Sequence, residues 1–302
     1  MLATLLKRKQ TSTKRVGIVL DAEGIAYAVL ESVAPLAVDA IGFLPASRDA
    51  LATVFRDWVN QEDLGGARCF ATLPPGVATL VQVEPPDVDP AELDEAIRWQ
   101  LDESVASDLA SSVIATFPTP EDSSRGQNRL VNVVVVGKDR IREIAETITG
   151  VLPSLASIDV PELAMRNIAS LYGEAGRSIA MLLVEGTSGH ILCFKDDSLY
   201  FSRQIGVPGG DRETGFERLC LEVQRSIDYF ESQQNQVAPR NIIVFGGEAT
   251  TDVEAAIENN LGLEVLPLDL ETLGIEVGRR ELAHGARVSM LCALGAALRE
   301  ET

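Results

Sequence analysis

The chain carries one local pattern twice, once near its start and once at the opening of its second half. Residues 16–29 read as an apolar run, a turn of small and acidic residues ending in Gly24, and a second apolar run. Residues 179–192 read the same way, with Gly189 closing the turn. Short apolar runs flanking a tight small-residue turn specify a β-hairpin. Laid over one another, Val19 matches Val184, Asp21 matches Gly186 and Gly24 matches Gly189. A hairpin that opens each half of 302 residues implies two related lobes.

Composition narrows what those lobes can serve. At 46% hydrophobic residues the chain can bury a large core, and its length exceeds that of a usual single domain. A net charge of −19 repels phosphate backbones, which excludes nucleic acid as a partner. Cys69, Cys193, Cys220 and Cys292 are scattered without a CxxC pair, so neither a disulfide framework nor a zinc site is expected. With only His190 and His284, metal clusters and His-based triads are excluded, and His190 reads as a structural residue in an apolar strand. Apolar runs of about six residues fall far below the roughly 20 that span a bilayer. Lys7, Arg8, Lys9, Lys14 and Arg15 follow Leu2, Leu5 and Leu6, an order opposite to that of a secretory signal. This tail reads as solvated, or as a weak contact with an anionic membrane surface.

Between the hairpins the periodicity predicts a strand at 37–43 and a helix at 48–60 whose Leu51, Val54, Phe55 and Val59 share a face. Strands follow at 68–73 and 78–83. A helix then starts at Asp89, with Pro90 at its first position and Glu92 completing a capping box, and carries Leu93, Ile97, Leu101 and Val105. Strands at 113–117 and 130–136, joined by a polar loop, lead to a helix at 138–151. This ββαββα order over 68–151 reads as an inserted subdomain, and the earlier pattern resumes at Ile158 with a second capping box, Asp159 to Glu162. The second half continues with a strand at 198–205 and a long helix bearing Phe216, Leu219, Cys220, Val223, Ile227 and Phe230. A buried strand at 241–245, helices at 252–261 and from Arg287, and a short strand at 264–266 complete it. The expected division is a tail at 1–15, a first lobe at 16–67, 152–177 and 286–302, the insertion at 68–151, and a second lobe at 178–285.

Several pieces in order carry a resemblance over nearly the whole chain: Val16-Gly17-Ile18, Pro85 ahead of Glu92-Leu93, and Val133-Val134-Val135-Val136 before Lys138. Ile158-Asp159-Val160-Pro161-Glu162-Leu163-Ala164, Leu221 through Phe230, Phe245-Gly246-Gly247-Glu248-Ala249 and Leu294-Gly295-Ala296-Ala297-Leu298 complete the set. The chain resembles the PilM family of type IV pilus assembly proteins, in particular its MshI branch, which serves mannose-sensitive haemagglutinin (MSHA) pili. The resemblance implies an α/β, actin-like (ribonuclease H-like) two-lobe fold with an FtsA-like subdomain inserted in the first lobe. It implies a cytoplasmic scaffold, peripheral to the inner membrane through its partner, that binds the N-terminal cytoplasmic peptide of a PilN-like inner-membrane protein. The groove for that peptide would lie between the first lobe and the insertion, bordered by the helix at 89–105 and the strands around 131–136. The cytoplasmic domain of the type II secretion protein GspL has a related fold.

The same resemblance implies an ATP site at the two hairpin turns, where the family's Asp is replaced by Val19 and Val184. Gly24, Gly186, Thr187 and Ser188 could still present backbone N–H groups to phosphate. Asp21 and Glu23 could stand in for the missing acids, whereas strand alternation puts Glu185 on the face opposite Val184. Mg²⁺, a hard cation wanting oxygen ligands, is therefore not expected to be held in the family manner. On the nucleoside side the resemblance points to Gly209 and Gly210 at a cleft turn, Glu222 and Arg225 on the long helix, and Gly246, Gly247 and Glu248 at a helix start. These residues imply a scaffold with weak or lost ATP binding and no catalytic residue. The alternative is an active ATPase or a sugar-kinase-like phosphotransferase. Self-association is left open, and restoring Asp at Val19 and Val184 is expected to recover metal-nucleotide binding.

Overall fold

The computed structural model describes residues 14–101, 108–123, 130–207, 212–246, 250–268 and 287–300. The first hairpin is β1 (Arg15–Leu20) and β2 (Gly24–Ser32), extended by β3 (Ala37–Pro45) and followed by α1 (Leu51–Gln61) and β4 (Arg68–Thr72). Further on come α3 (Lys138–Thr149), β8 (Leu155–Asp159) and α4 (Pro161–Ala169). The first sheet has the order β3-β2-β1-β4-β8, antiparallel through the hairpins and parallel from β1 to β8. β1 is apolar nearly throughout because both of its faces are covered. Val16, Ile18 and Leu20 enter a core with Phe55 and Trp58 of α1 and Ile144 and Ile148 of α3, whereas Val19 enters a second core on the other face.

The second lobe repeats this plan. β9 (Ser178–Glu185), β10 (Ser188–Lys195), β11 (Ser198–Gly206), β12 (Asn241–Gly246) and β13 (Glu264–Leu266) form a sheet of order β11-β10-β9-β12-β13. α5 (Arg212–Gln233) and α6 (Thr250–Leu261) cover its outer face through Leu219, Val223, Phe230, Val253 and Ile257. Its inner face, with Ile179, Met181 and Leu183, joins Val19 and Met165 in one core that both lobes share.

α7 (Arg287–Ala297) is buried from Val288 onward and runs through this shared core. It lies so close to the first sheet that a Cβ on Gly17 would stand 1.8 Å from the carbonyl oxygen of Ala293. On its other side a Cβ on Gly295 would stand 2.1 Å from that of Ala164 in α4.

The insertion is narrower than the sequence suggests. It comprises β5 (Thr79–Val83), a 3-10 turn at Pro90–Glu92, α2 (Leu93–Gln100), β6 (Ser112–Pro118) and β7 (Val131–Gly137), with sheet order β5-β7-β6. The strand expected to open it, β4, is hydrogen-bonded between β1 and β8, and the helix expected to close it, α3, packs in the first lobe's outer core. Asp89 caps the turn as expected, accepting from the Ala91 N–H at 2.9 Å. The helix stops at Gln100, because Leu101 adopts an extended backbone, and Val105 lies outside the described residues. The second capping box does not form: the N-cap is Val160 without a side-chain bond, the Asp159 carboxylate pairs with Arg299, and Glu162 is buried.

Polar contacts tie the insertion to the second lobe. Gln82 of β5 donates to the Tyr200 carbonyl at 3.0 Å and accepts from Gln234 at 3.2 Å. Asp122 accepts from Lys195 at 2.8 Å and from the Tyr200 hydroxyl at 2.6 Å. Among the described residues no helix is long and apolar enough to cross a membrane.

Candidate functional site

Both hairpin turns face the cleft between the lobes, above the N-terminal end of α7. In the first turn Asp21 is already committed. One carboxylate oxygen accepts from the Ser289 hydroxyl of α7 at 2.6 Å and the other from the Ala22 N–H at 2.6 Å. The Asp21 N–H donates to the Gly24 carbonyl at 2.9 Å. Two amides of this turn are thus engaged by the turn's own oxygens. Gly24 is glycine for packing: its Cβ would stand 2.1 Å from the Leu44 carbonyl oxygen of β3. Glu23 is exposed.

The second turn is Gly186-Thr187, with Gly186 at φ +57°, in the left-handed region that favours glycine. Thr187 and Ser188 are exposed, and Ser188 borders a cavity of about 130 Å³ with Glu185, Gly189, His190, Pro161 and Val288. Gly246, at the end of β12, would place a Cβ 1.8 Å from the Val184 carbonyl oxygen, so its lack of a side chain serves the β9–β12 approach. Glu222 of α5 is bridged by Arg203 of β11 at 2.8 Å and by Arg225 at 2.7 Å, a local cluster on the second lobe. Gly209, Gly210, Gly247 and Glu248 lie outside the described residues.

Strand parity corrects the reading of the two valines. Val19 points into the core shared by the lobes, but Val184 points into the outer core of the second lobe. The residue of β9 that continues the inner face of Met181 and Leu183 is Glu185, and the charges of the first turn act on its carboxyl. Partial burial and the charges of Asp21 and Glu23 hold its carboxyl above the usual carboxylate range. The sequence overlay set Glu185 aside for lying on the face opposite Val184, but the overlay is one residue out of strand parity, and that opposite face is the inner one.

Charge at the two turns disfavours a triphosphate. The charges of Asp21 and Glu23 reach the Glu185 carboxyl, and like charges at the two turns oppose an anion. Among the described residues no group of three His, Cys, Asp or Glu is placed to hold a metal ion. The cavity beside the second turn is well below the ~300 Å³ at which small-molecule pockets begin.

Deeper in the cleft, Glu162 of α4 and His190 of β10 meet across the lobes, with Oε1 and Nε2 3.7 Å apart. The Ser202 hydroxyl lies 2.8 Å from the same ring nitrogen. Burial pushes the Glu162 carboxyl from 4.5 up to about 7 and the His190 imidazole from 6.5 down to about 4. The folded protein thus keeps a Glu162 proton that the unfolded chain releases, and stability falls as pH rises from about 4.5 to about 7. His190 acts in the opposite sense, adding stability from about pH 4 to about 6.5. Glu162→Gln removes only the falling limb. It is expected to stabilise the protein at about pH 8 by roughly 2–3 kcal/mol and to change little at about pH 4.5. Thermal unfolding at the two pH values checks this, and an equal shift at both contradicts it.

No known family profile matches the chain, and no curated protein matches it. Solved structures do share its course. A PilM-PilN type IV pilus biogenesis complex superposes with a TM-score of 0.68 at 18% identity, covering 94% of this chain and 98% of that one. A protein of Bacteroides thetaiotaomicron with an actin-like ATPase fold and unknown function gives 0.55 at 9% identity, covering 95% and 98%. The cytoplasmic domain of EpsL, an inner-membrane component of the Vibrio cholerae type II secretion system, gives 0.53 at 12% identity, covering 95% and 96%. At these identities the likeness is one of fold. The chain therefore has the actin-like ATPase fold, with two lobes of matching sheet order and a subdomain inserted in the first.

Proposed function

We propose that the chain is a scaffold of type IV pilus biogenesis, of the PilM kind and its MshI branch, serving MSHA-type pili. It works in the cytoplasm at the inner membrane, holding the N-terminal cytoplasmic peptide of a PilN-like membrane protein. The observation that carries this reading is a cavity of about 480 Å³ where α4, the insertion and the β10–β11 turn meet. Leu163 of α4, Leu93, Phe117 and Leu130 of the insertion region, and Leu199 of β11 give it apolar walls. Such a groove suits an extended peptide with apolar anchors. Likeness of fold to a PilM-PilN complex supports the choice of partner. ATP binding is weak or lost in this reading, because the acidic turns oppose phosphate, and no residue is assigned to catalysis.

The test is capture of synthetic N-terminal peptides of inner-membrane pilus proteins. Binding by the folded wild type should fall at least about tenfold in Leu163→Glu, which places a charge in the apolar wall. Capture of none of these peptides, or equal capture by the variant, overturns the reading. The alternative, an active ATPase or phosphotransferase, draws on the gathering of Asp21, Glu23 and Glu185 at the turns. Calorimetry with Mg-ATP separates the two: micromolar, magnesium-dependent binding with turnover lost in Glu185→Gln favours the enzyme.

A further inference from the structure

We propose that residues 1–13 of the chain itself are a second occupant of the groove between α4, the insertion and the β10–β11 turn, where they compete with the membrane partner's tail. The inference rests on the reading that this groove takes an extended peptide; what it adds is an occupant carried by the protein.

The groove combines leucine-sized apolar walls with acidic groups, Glu121 and Asp197. Its one basic lining residue, Arg166, donates to the Asn167 side chain at 2.9 Å. The segment has the matching order of groups: Leu2, Leu5 and Leu6, then Lys7, Arg8 and Lys9. In a chain of net charge −19, residues 1–13 hold three basic residues, Lys7, Arg8 and Lys9, and no Asp or Glu. Attraction between this segment and the acidic body is therefore built into the sequence, and it weakens with salt.

A chain of polar interactions links the point of attachment to the groove wall. The Arg15 guanidinium donates to the Arg299 carbonyl, and the Arg299 guanidinium pairs with Asp159. Arg166, on the groove wall, feels the charges of Asp159, Arg299 and Asp197. From Lys14 back to Leu5 an extended chain reaches ~30 Å. Tethering sets an effective concentration of about millimolar. A segment with only millimolar affinity in trans then fills the groove about half the time in cis, and weakens the partner's apparent affinity about twofold.

Disulfide trapping in the full chain tests this. Lys7→Cys is combined with Ser198→Cys in the groove, the four native cysteines being buried. The expected result is an intrachain disulfide whose yield is independent of protein concentration, drops at about 0.5 M salt, and falls roughly fivefold when Leu5→Asp and Leu6→Asp are added. Equal trapping with Asn259→Cys on the far helix α6 overturns the proposal. So does a link that forms only between molecules, and so does its absence in a segment that instead binds phosphatidylserine vesicles. The two readings fail separately. Loss of trapping with Leu163-dependent peptide capture intact removes only the second occupant. Trapping without capture of any partner peptide leaves the segment in the groove and removes the membrane partner.

Discussion

Val19→Asp is expected to unfold the first lobe instead of equipping it with a metal ligand. Val19 is fully buried in the core shared by both lobes, among Met165 and Ile168 of α4, Leu291 and Leu294 of α7, and Leu183 of β9. An ionised carboxylate there has no cation or donor within that apolar set, and removing such a charge from water costs several kcal/mol. Protonation relieves part of this, so the damage should be smaller at low pH. Val184→Asp places its carboxylate in a different core, under α5 and α6, where it cannot meet the first at a common ion. Each single variant is expected to lose roughly 4 kcal/mol or more, a large share of the stability of a domain. The double variant should lack a cooperative thermal transition by circular dichroism. A double variant that melts within a few degrees of wild type and binds Mg-ATP would refute this. Restoring the family's acids is thus expected to unfold this chain before it can recover nucleotide binding.

The second large effect concerns α7. In Gly17→Ala the new methyl would sit 1.8 Å from a backbone oxygen of a helix buried from Val288 onward, and neither partner is a side chain that can rotate away. Separating β1 from α7 opens the core shared by the lobes, so the expected loss is ~3 kcal/mol or more. Gly295→Ala presses α7 against α4 at 2.1 Å and should do comparable harm. Gly186→Ala strains a left-handed turn but meets open space, and is expected to lose only about 1 kcal/mol. Urea denaturation of the three variants checks the ranking. A Gly17→Ala protein as stable as Gly186→Ala would mean that α7 shifts freely on the sheet.

What the sequence reveals is uneven, for physical reasons. The hairpins, the outer helices and the matching lobes are legible because alternation and helical spacing record which face is buried. Membership of β4 in the first sheet is not, since an apolar strand looks the same whether its parallel neighbour is β1 or a strand of the insertion. β8 escapes notice because its Ser157 and Asp159 break the apolar run, and Asp159 is spent on Arg299, far away in sequence. Gly24 and Gly246 look like openings for a phosphate or a ribose, yet both make room for neighbouring backbone. The two valines show the limit of overlaying repeats: an overlay one residue out of strand register leaves the names aligned and turns one side chain to the opposite face. The actin-like fold was accessible only through the resemblance, which depended on the order of weak motifs.

The first described strand and the last described helix are pressed together at Gly17 and Ala293. A chain emerging from the ribosome can close its first hairpin early, but the inner face of that sheet stays bare until residue 297 has been made. Everything between β1 and α7 must therefore be synthesised before the shared core can close. The intervening period, with an apolar sheet face exposed, is when a chaperone would have most to hold.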